Sequence, residues 1–216
     1  ESASRHWKAY LDARALSHYK QTRNAFQGPM QSSHLSAWLA HGCISPRQIW
    51  WDTLQYEQDV EANESTYWLR FELLWREYFR WYSRASDWTL FRRTGPSDQV
   101  FGFDQNARRF ERWKTGHTDC DIVDAAMREL NETGWMSNRA RQLVASHLIY
   151  ESNLDWRLGA AYFESQLVDF DVASNWGNWA YIAGVGPDPR GGRIFHLNDQ
   201  ADRYDPYGSY RRLWLS

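Results

Sequence analysis

Cysteine is nearly missing from this chain: Cys43 and Cys120 are the only two in 216 residues. Two isolated thiols cannot build a disulfide framework, so a reducing compartment is expected. No apolar run approaches the length of a membrane span and no signal peptide is recognisable, so a soluble protein with no membrane partner is expected. Neither sign of charge dominates: 25 Lys and Arg face 27 Asp and Glu, for a net charge of -2. That balance excludes a globally basic nucleic-acid binder but not a local basic surface. No stretch shows the period-2 alternation of a strand, and there is no repeat, no low-complexity segment and no metal-ligand set. The length suits one domain or two small ones, with enough chain to bury a real core.

Aromatic rings are what the chain has in excess: 14 Trp, 12 Tyr and 10 Phe. A helical core packs more simply from Leu and Ala, so this many indoles suit stacking on a ligand or on bases, or the relay of electrons. The most informative stretch runs from Leu167 to Gly184. Asp169 and Asp171 stand one residue apart before Ala-Ser-Asn and then Trp-Gly-Asn-Trp. Asp171 reads as an N-cap, its carboxylate accepting from a free N–H of the next turn. Asn175, Asn178 and Trp179 lie three or four apart and so share one helical face. Two aspartates, an amide and an indole make poor core. They offer hydrogen-bond partners and a stacking plate for a flat ring with polar edges. Taken alone, the stretch also fits an amphipathic helix with an ordinary cap.

Elsewhere the spacing is helical. Trp7, Tyr10, Leu11, Ala15, Leu16 and Tyr19 predict one helix from Ala3 to Tyr19. After Gly28-Pro29, the run Ser32-Ser33-His34-Leu35-Ser36 leads into Ala37–Ala40. Serines clustered at a helix start suit an anion, although a simple Ser cap would look the same. Ser45-Pro46 restarts a helix. From about Ser65 to Ser83, Glu72, Trp75, Arg76 and Phe79 line one face, with Leu69, Leu73, Tyr78 and Tyr82 on a buried flank. A carboxylate and a guanidinium around an indole suit a wet cleft, because apolar burial would be costly. The plainer alternative is a Glu72–Arg76 surface pair. Between Phe91 and Thr115 the basic residues Arg92, Arg93, Arg108, Arg109, Arg112 and Lys114 form either a solvated face or a phosphate-contacting rim. A helix opens at Asp121, with Asp124 placed for a capping box, and ends at Gly134. Ser137 caps the next, which runs to about Glu151; Asn138, Arg141, Gln142 and Ala145 share a stripe that Arg139 stands off. Asp155 through Gly159 turns into the helix that delivers Asp169 and Asp171. The expected fold class is all-α, with helices joined by short Gly, Pro and Ser loops.

Nine segments, taken in order, carry a resemblance. They are Tyr19–Asn24, Gly42–Arg47, Thr66–Phe79, Val123–Leu130, Gly134–Arg141, Asp155–Gly159, Asp169–Asn178, Ala183–Arg190 and Tyr204-Asp-Pro. Together they resemble the FAD-binding helical domain of the photolyase/cryptochrome family. Tyr181 after Trp179, with the Gly-Val-Gly and Asp-Pro-Arg stretch, points to its DASH-type cryptochrome branch. The resemblance implies a multi-helical FAD-binding domain over 1–216 that holds a U-shaped FAD. The family's N-terminal α/β domain has no counterpart in these residues, so its folate-type antenna pigment is expected only outside them. By position, Tyr19, Ser32, Ser33, Leu35 and Ser36 would hold the phosphates and ribityl chain. Arg141 would pair with Asp169 beside the flavin, Asp171 would meet the ring edge and Asn175 would face flavin N5. Glu72, Arg76 and Asn138 complete the implied cofactor set. Glu72, Trp75, Asn138 and Arg139 would line the opening for a flipped pyrimidine dimer, and Arg23 would meet backbone phosphate. Trp179 and Trp156 match the inner two members of a photoreduction relay, and with Asn175 and Glu72 they form the implied catalytic set.

The activity so implied is blue-light-dependent repair of cyclobutane pyrimidine dimers by electron transfer from reduced FAD. The expected partner is UV-damaged, single-stranded DNA, bound by a monomer in the cytoplasm, or in an organelle of a eukaryote. Two alternatives stay open: a light sensor with the same flavin but no repair, and a helical nucleic-acid-binding module without a cofactor. Three positions depart from the family pattern. Phe103 stands near where an outer tryptophan is usual; phenylalanine is far harder to oxidise, so the relay either ends early or leaves through another aromatic. Asp119-Cys120-Asp121 replaces a Gly-Tyr-Pro, which alters the loop. His34 replaces a Lys or Arg, which would make phosphate contact weaker and pH-dependent.

Overall fold

The computed structural model describes residues 1–97, 102–188 and 190–216. The N-terminal helical pattern is realised in three pieces rather than one. Helix α1 (Ser2–Asp12) ends before Arg14, whose backbone is left-handed at φ 54°. A 3₁₀ turn (Ala15–His18) and α2 (Tyr19–Thr22) follow. This bend lets Leu16 and Tyr19 join Trp7 and Tyr10 in one core, which a straight helix could not do. After α3 (Ser36–Ala40), Ser45 accepts from the Arg47 N–H at 3.2 Å and Pro46 opens α4 (Pro46–Asp59), as expected.

Helix α5 (Glu64–Ser86) is the longest. Its capping box joins Asn63 and Thr66 and starts the helix at Glu64, one residue ahead of the expected Ser65. Leu69 and Leu73 are buried on its flank, but Tyr78 is 43% exposed and Tyr82 only half-buried, which corrects part of the expected flank. Two 3₁₀ turns (Asp87–Phe91 and Gly95–Ser97) and α6 (Ala107–Lys114) come next. Here Arg112 pairs with Asp119, Arg109 with Asp104, and Lys114 with Glu111. These are solvated surface pairs of small energetic weight. Helix α7 (Asp121–Thr133) is entered from Cys120. The Asp124 carboxylate accepts from the N–H and hydroxyl of Thr118, both at 2.7 Å, so it ties down the preceding loop instead of closing a box with Asp121.

Ser137 caps α8 (Asn138–Ser146), which continues through a π-helical turn to Glu151. Asp155 caps α9 (Trp156–Gln166), and Asp171 caps α10 (Val172–Ala183) by accepting from the Ser174 N–H at 2.9 Å. The chain closes with α11 (Leu197–Tyr204) and α12 (Ser209–Leu215). Among the described residues the β pairing is limited to an isolated bridge between Asp104 and Leu154, and no helix is long and apolar enough to cross a membrane.

Two apolar cores result. One gathers α7–α10 around Leu143, Trp156 and Trp179, with Tyr210 of α12 stacked on Phe26 at 5.0 Å. The other joins α1, α4 and the first half of α5 around Trp7, Ile49 and Leu69. Helices α5 and α10 cross in contact where Gly177 meets Phe79; a Cβ there would lie 2.4 Å from the ring. The space left between the two cores is the site.

Candidate functional site

A cavity of about 490 Å³ opens between the cores, within the ordinary range for a ligand pocket. Its walls come from α2, the 31–36 loop, α5, α8 and the segment from Leu167 through α10. The expected stripe of Glu72, Trp75, Arg76 and Phe79 faces it, as does the stripe of Asn138, Arg141, Gln142 and Ala145. Tyr19, Arg23, Ser32, Ser33, Leu35, Ser36, Asp169, Asp171, Asn175, Asn178 and Trp179 also line it. Residues up to 163 positions apart in sequence, Tyr19 and Ile182, thus converge because each helix turns its polar stripe inward.

The inner end is organised by one ion pair. Arg141 donates to both carboxylate oxygens of Asp169, at 3.1 and 2.8 Å, and its Nε donates to the Met136 carbonyl at 2.8 Å. The Asp169 side chain is 1% exposed, so a fork-shaped partner is what makes its charge tolerable there. Asn175 is held by its amide N–H on the Ala160 carbonyl at 2.9 Å. Burial would raise the Asp171 carboxyl, but the Ser174 hydrogen bonds and the guanidiniums of Arg80 and Arg76 outweigh it and hold it below its usual value. Asn178 is exposed and turns back to the Ser174 carbonyl at 2.7 Å, so it shares the face with less of a ligand-facing role than Asn175.

The serine run is a loop rather than a helix cap. His34 has a left-handed backbone, Leu35 takes the N-cap position of α3, and no side chain caps that helix. The Ser33 carbonyl is held by the His6 ring at 2.8 Å, and the His34 ring lies 4.9 Å from Trp135. Burial pulls the His34 pKa down, so it brings little positive charge to this end.

At the mouth, Trp75 packs edge-on to Tyr181, ring centres 6.2 Å apart at 67°. Glu72 is paired with Arg23, whose guanidinium also lies 5.4 Å over Trp68. Arg76 donates to Glu77 and to the Leu39 carbonyl, so the simple Glu72–Arg76 surface pair does not form. Burial pushes the Glu72 carboxyl up, with Arg23 opposing.

Three expected residues sit differently from the rest. Arg23 faces inward and is engaged by Glu72 instead of projecting towards solvent. Arg139 is not in the cavity wall: it donates to Asn24 at 3.2 Å and lies over Phe195 and Tyr204 at 5.5 and 5.2 Å. Trp156 is fully buried behind the wall, its indole N–H on the Arg93 carbonyl at 3.0 Å. Phe103 is partly buried against the first core, beneath the guanidinium of Arg93. Residues not singled out for the site but present in its wall include Trp68, Phe71 and Tyr181. Tyr181 had a signal, since it follows Asn178 by three and Ser174 by seven on the same helical stripe.

The wall suits a flat ring with polar edges joined to an anionic chain. Serine hydroxyls, guanidiniums and amides alternate with aromatic faces, and the Gln142 carbonyl oxygen is buried there without a hydrogen-bond partner. Native proteins leave few such atoms unsatisfied, so a donor on a bound ligand is the natural complement.

Comparison with known proteins agrees. Residues 68–216 match the family model described as the FAD binding domain of DNA photolyase. A Cryptochrome DASH of Vibrio parahaemolyticus is 54% identical over 97% of this chain and 47% of its own. The crystal structure of a Synechocystis cryptochrome superposes with a TM-score of 0.96 at 47% identity, over 99% of this chain and 44% of that one. A bacterial class III photolyase from Agrobacterium tumefaciens gives 0.89 at 33%, over 99% and 44%. The chain spans about half the length of the curated relatives it matches. With its all-α architecture and a family model covering most of its length, the chain belongs to the photolyase/cryptochrome family, as its helical FAD-binding domain.

Proposed function

We propose that this chain forms the flavin-holding, DNA-facing part of an enzyme that splits cyclobutane pyrimidine dimers under blue light, with damaged single strands as substrate. The observation that carries the reading is the mouth: an indole, a phenol ring and a half-buried carboxylate around one opening over a cavity lined by both aromatic and polar side chains. Ser32, Ser33, Leu35 and Ser36 would hold the phosphates of FAD, with Tyr19, Arg76 and Asn138 beside them. Arg141 and Asp169 would border its ring system, Asp171 its edge and Asn175 its central nitrogen. When bound, FAD would supply reversible, light-driven one-electron transfer.

The chain's own residues bind and orient. Trp75 stacks on a flipped base, a contact worth roughly 1–3 kcal/mol. Glu72 meets the polar base edge, and Arg23 orients that carboxylate in place of the direct phosphate contact expected of it. Arg139 touches backbone phosphate beyond the rim, close to Arg203 and Tyr204. A single strand suits this mouth because flipping costs least when no base pair is broken.

The test is a blue-light repair assay with paired binding titrations on damaged and intact oligonucleotides. Trp75→Ala should weaken binding to dimer-containing strands far more than to intact ones, and should abolish repair. Arg139→Ala should weaken both alike and flatten the salt dependence, since one fewer counterion is released. Equal losses on both substrates with Trp75→Ala would leave a non-repairing light sensor as the better reading.

A further inference from the structure

Indoles run from the cavity to the surface along α9 and α10. Trp179 forms part of the cavity wall and lies against Gly159, one helical turn beyond Trp156. Trp156 is wholly buried and meets Trp176 edge-on, with ring centres 5.8 Å apart at 77°. Trp176 is half-buried and packs 5.0 Å from Phe91, which is itself 40% exposed. The Trp176 indole N–H donates to the carboxylate of Glu164, an exposed residue of α9, at 2.9 Å. Oxidised indole is far more acidic than the neutral ring, comparable to a carboxylic acid. A carboxylate on its N–H therefore both stabilises the positive charge and accepts the proton.

The competing outlets are less suited. Phe103 is not an indole, and the Arg93 guanidinium lies 5.7 Å over its ring. Trp113 touches Trp179 at 6.1 Å, but its N–H faces the neutral Val144 carbonyl. Its outward neighbour Tyr162 has the Lys114 ammonium 5.8 Å over the ring, although that ammonium is also paired with Glu111. A cation against a ring raises the cost of removing an electron from it, and an anion lowers it.

The geometry points to Trp176 as the surface member of a light-driven electron relay, with Glu164 as its proton acceptor, in the role that Phe103 cannot fill. This rests on the proposed light-driven reading. One electron moves inward from Trp179 to the bound flavin, and Trp156 and then Trp176 each give one electron to the ring before it. Trp176 then loses its indole proton to Glu164, leaving a neutral radical. An external thiol returns a hydrogen atom to Trp176 and becomes a thiyl radical, two of which couple to a disulfide, while Glu164 releases its proton to water.

Flash absorption on the FAD-loaded protein tests this, with FAD content and melting curves recorded for each variant. Trp179→Phe should remove the tryptophan radical altogether; a radical of unchanged yield there would overturn the light-driven relay itself. Trp176→Phe should keep FAD and stability but shorten the charge-separated state by an order of magnitude or more. A wild-type lifetime in Trp176→Phe, with Trp179→Phe inactive, would overturn the assigned exit alone. Glu164→Gln alters an exposed side chain and keeps the question open to test whatever Trp176→Phe does to folding. It should leave the radical as a protonated cation for longer, and loss of that proton at the wild-type rate would overturn the role of Glu164.

Discussion

Glu129 on α7 is a carboxyl buried to 7% exposure, with the Tyr210 hydroxyl of α12 donating to it. Burial pushes its pKa from 4.5 up to about 7, against the opposing pull of the Tyr210 hydrogen bond and Arg141. The folded state therefore holds this proton more tightly than the unfolded chain does. Its contribution to stability is full below about pH 4.5 and is lost as pH rises towards about 7. A shift of that size is worth on the order of 3 kcal/mol. Glu129→Gln keeps the shape and the polar contact without the charge. Urea unfolding should show the wild type losing stability across this window while Glu129→Gln stays flatter and overtakes it on the alkaline side. Parallel pH profiles for the two proteins would mean that Glu129 titrates normally.

At the scale of elements, the contact between α9 and α10 sets opposing effects against each other. Replacing Gly159 by Ala gains roughly 1 kcal/mol of helix propensity. The added Cβ would lie 2.2 Å from the far edge of the Trp179 ring, so something must move. That ring is 3% exposed and is boxed in by Phe163 at 5.2 Å and Trp113 at 6.1 Å, which leaves it little room. Overpacking of this kind costs about 1–3 kcal/mol, so packing should win. Gly159→Ala should melt lower and change the near-UV dichroism of the tryptophans. A more stable variant would show that the ring shifts freely, and with it the wall of the cavity.

Taken whole, the molecule is two cores facing each other across a ligand-sized space, with Arg141 and Asp169 at its inner end. A ligand that fills that space binds the folded state only, so it adds stability through mass action. FAD at about a hundred times its Kd should add roughly 2.7 kcal/mol. Stripping FAD should lower the melting temperature and broaden the transition, because the two cores lose their shared partner. In Arg141→Ala, added FAD should restore neither, since Asp169 would be left buried without its fork. Calorimetry with and without FAD reads both, and an identical melt in each condition would remove the cavity from the folding unit.

Much of the architecture was legible in the chain because it depends on neighbours in sequence. The caps at Ser45, Ser137 and Asp171 work through hydrogen bonds spanning two or three residues, and they stand where the sequence suggests. The inward stripes of α5 and α8 follow from the 3.6-residue period, so the makeup of the cavity wall was also readable. The Arg141–Asp169 pair was expected from the family resemblance, since 28 residues separate its members and no local pattern joins them. What only the tertiary structure decided is which partner each long side chain takes. Arg23 reaches Glu72 across 49 residues, Arg139 turns away to Asn24, and Trp156 finds Trp176 instead of remaining an isolated core indole. Helical periodicity says which way a side chain faces, but partner choice depends on how close two helices come, and that is set by contacts such as Gly177 on Phe79 and Gly159 on Trp179.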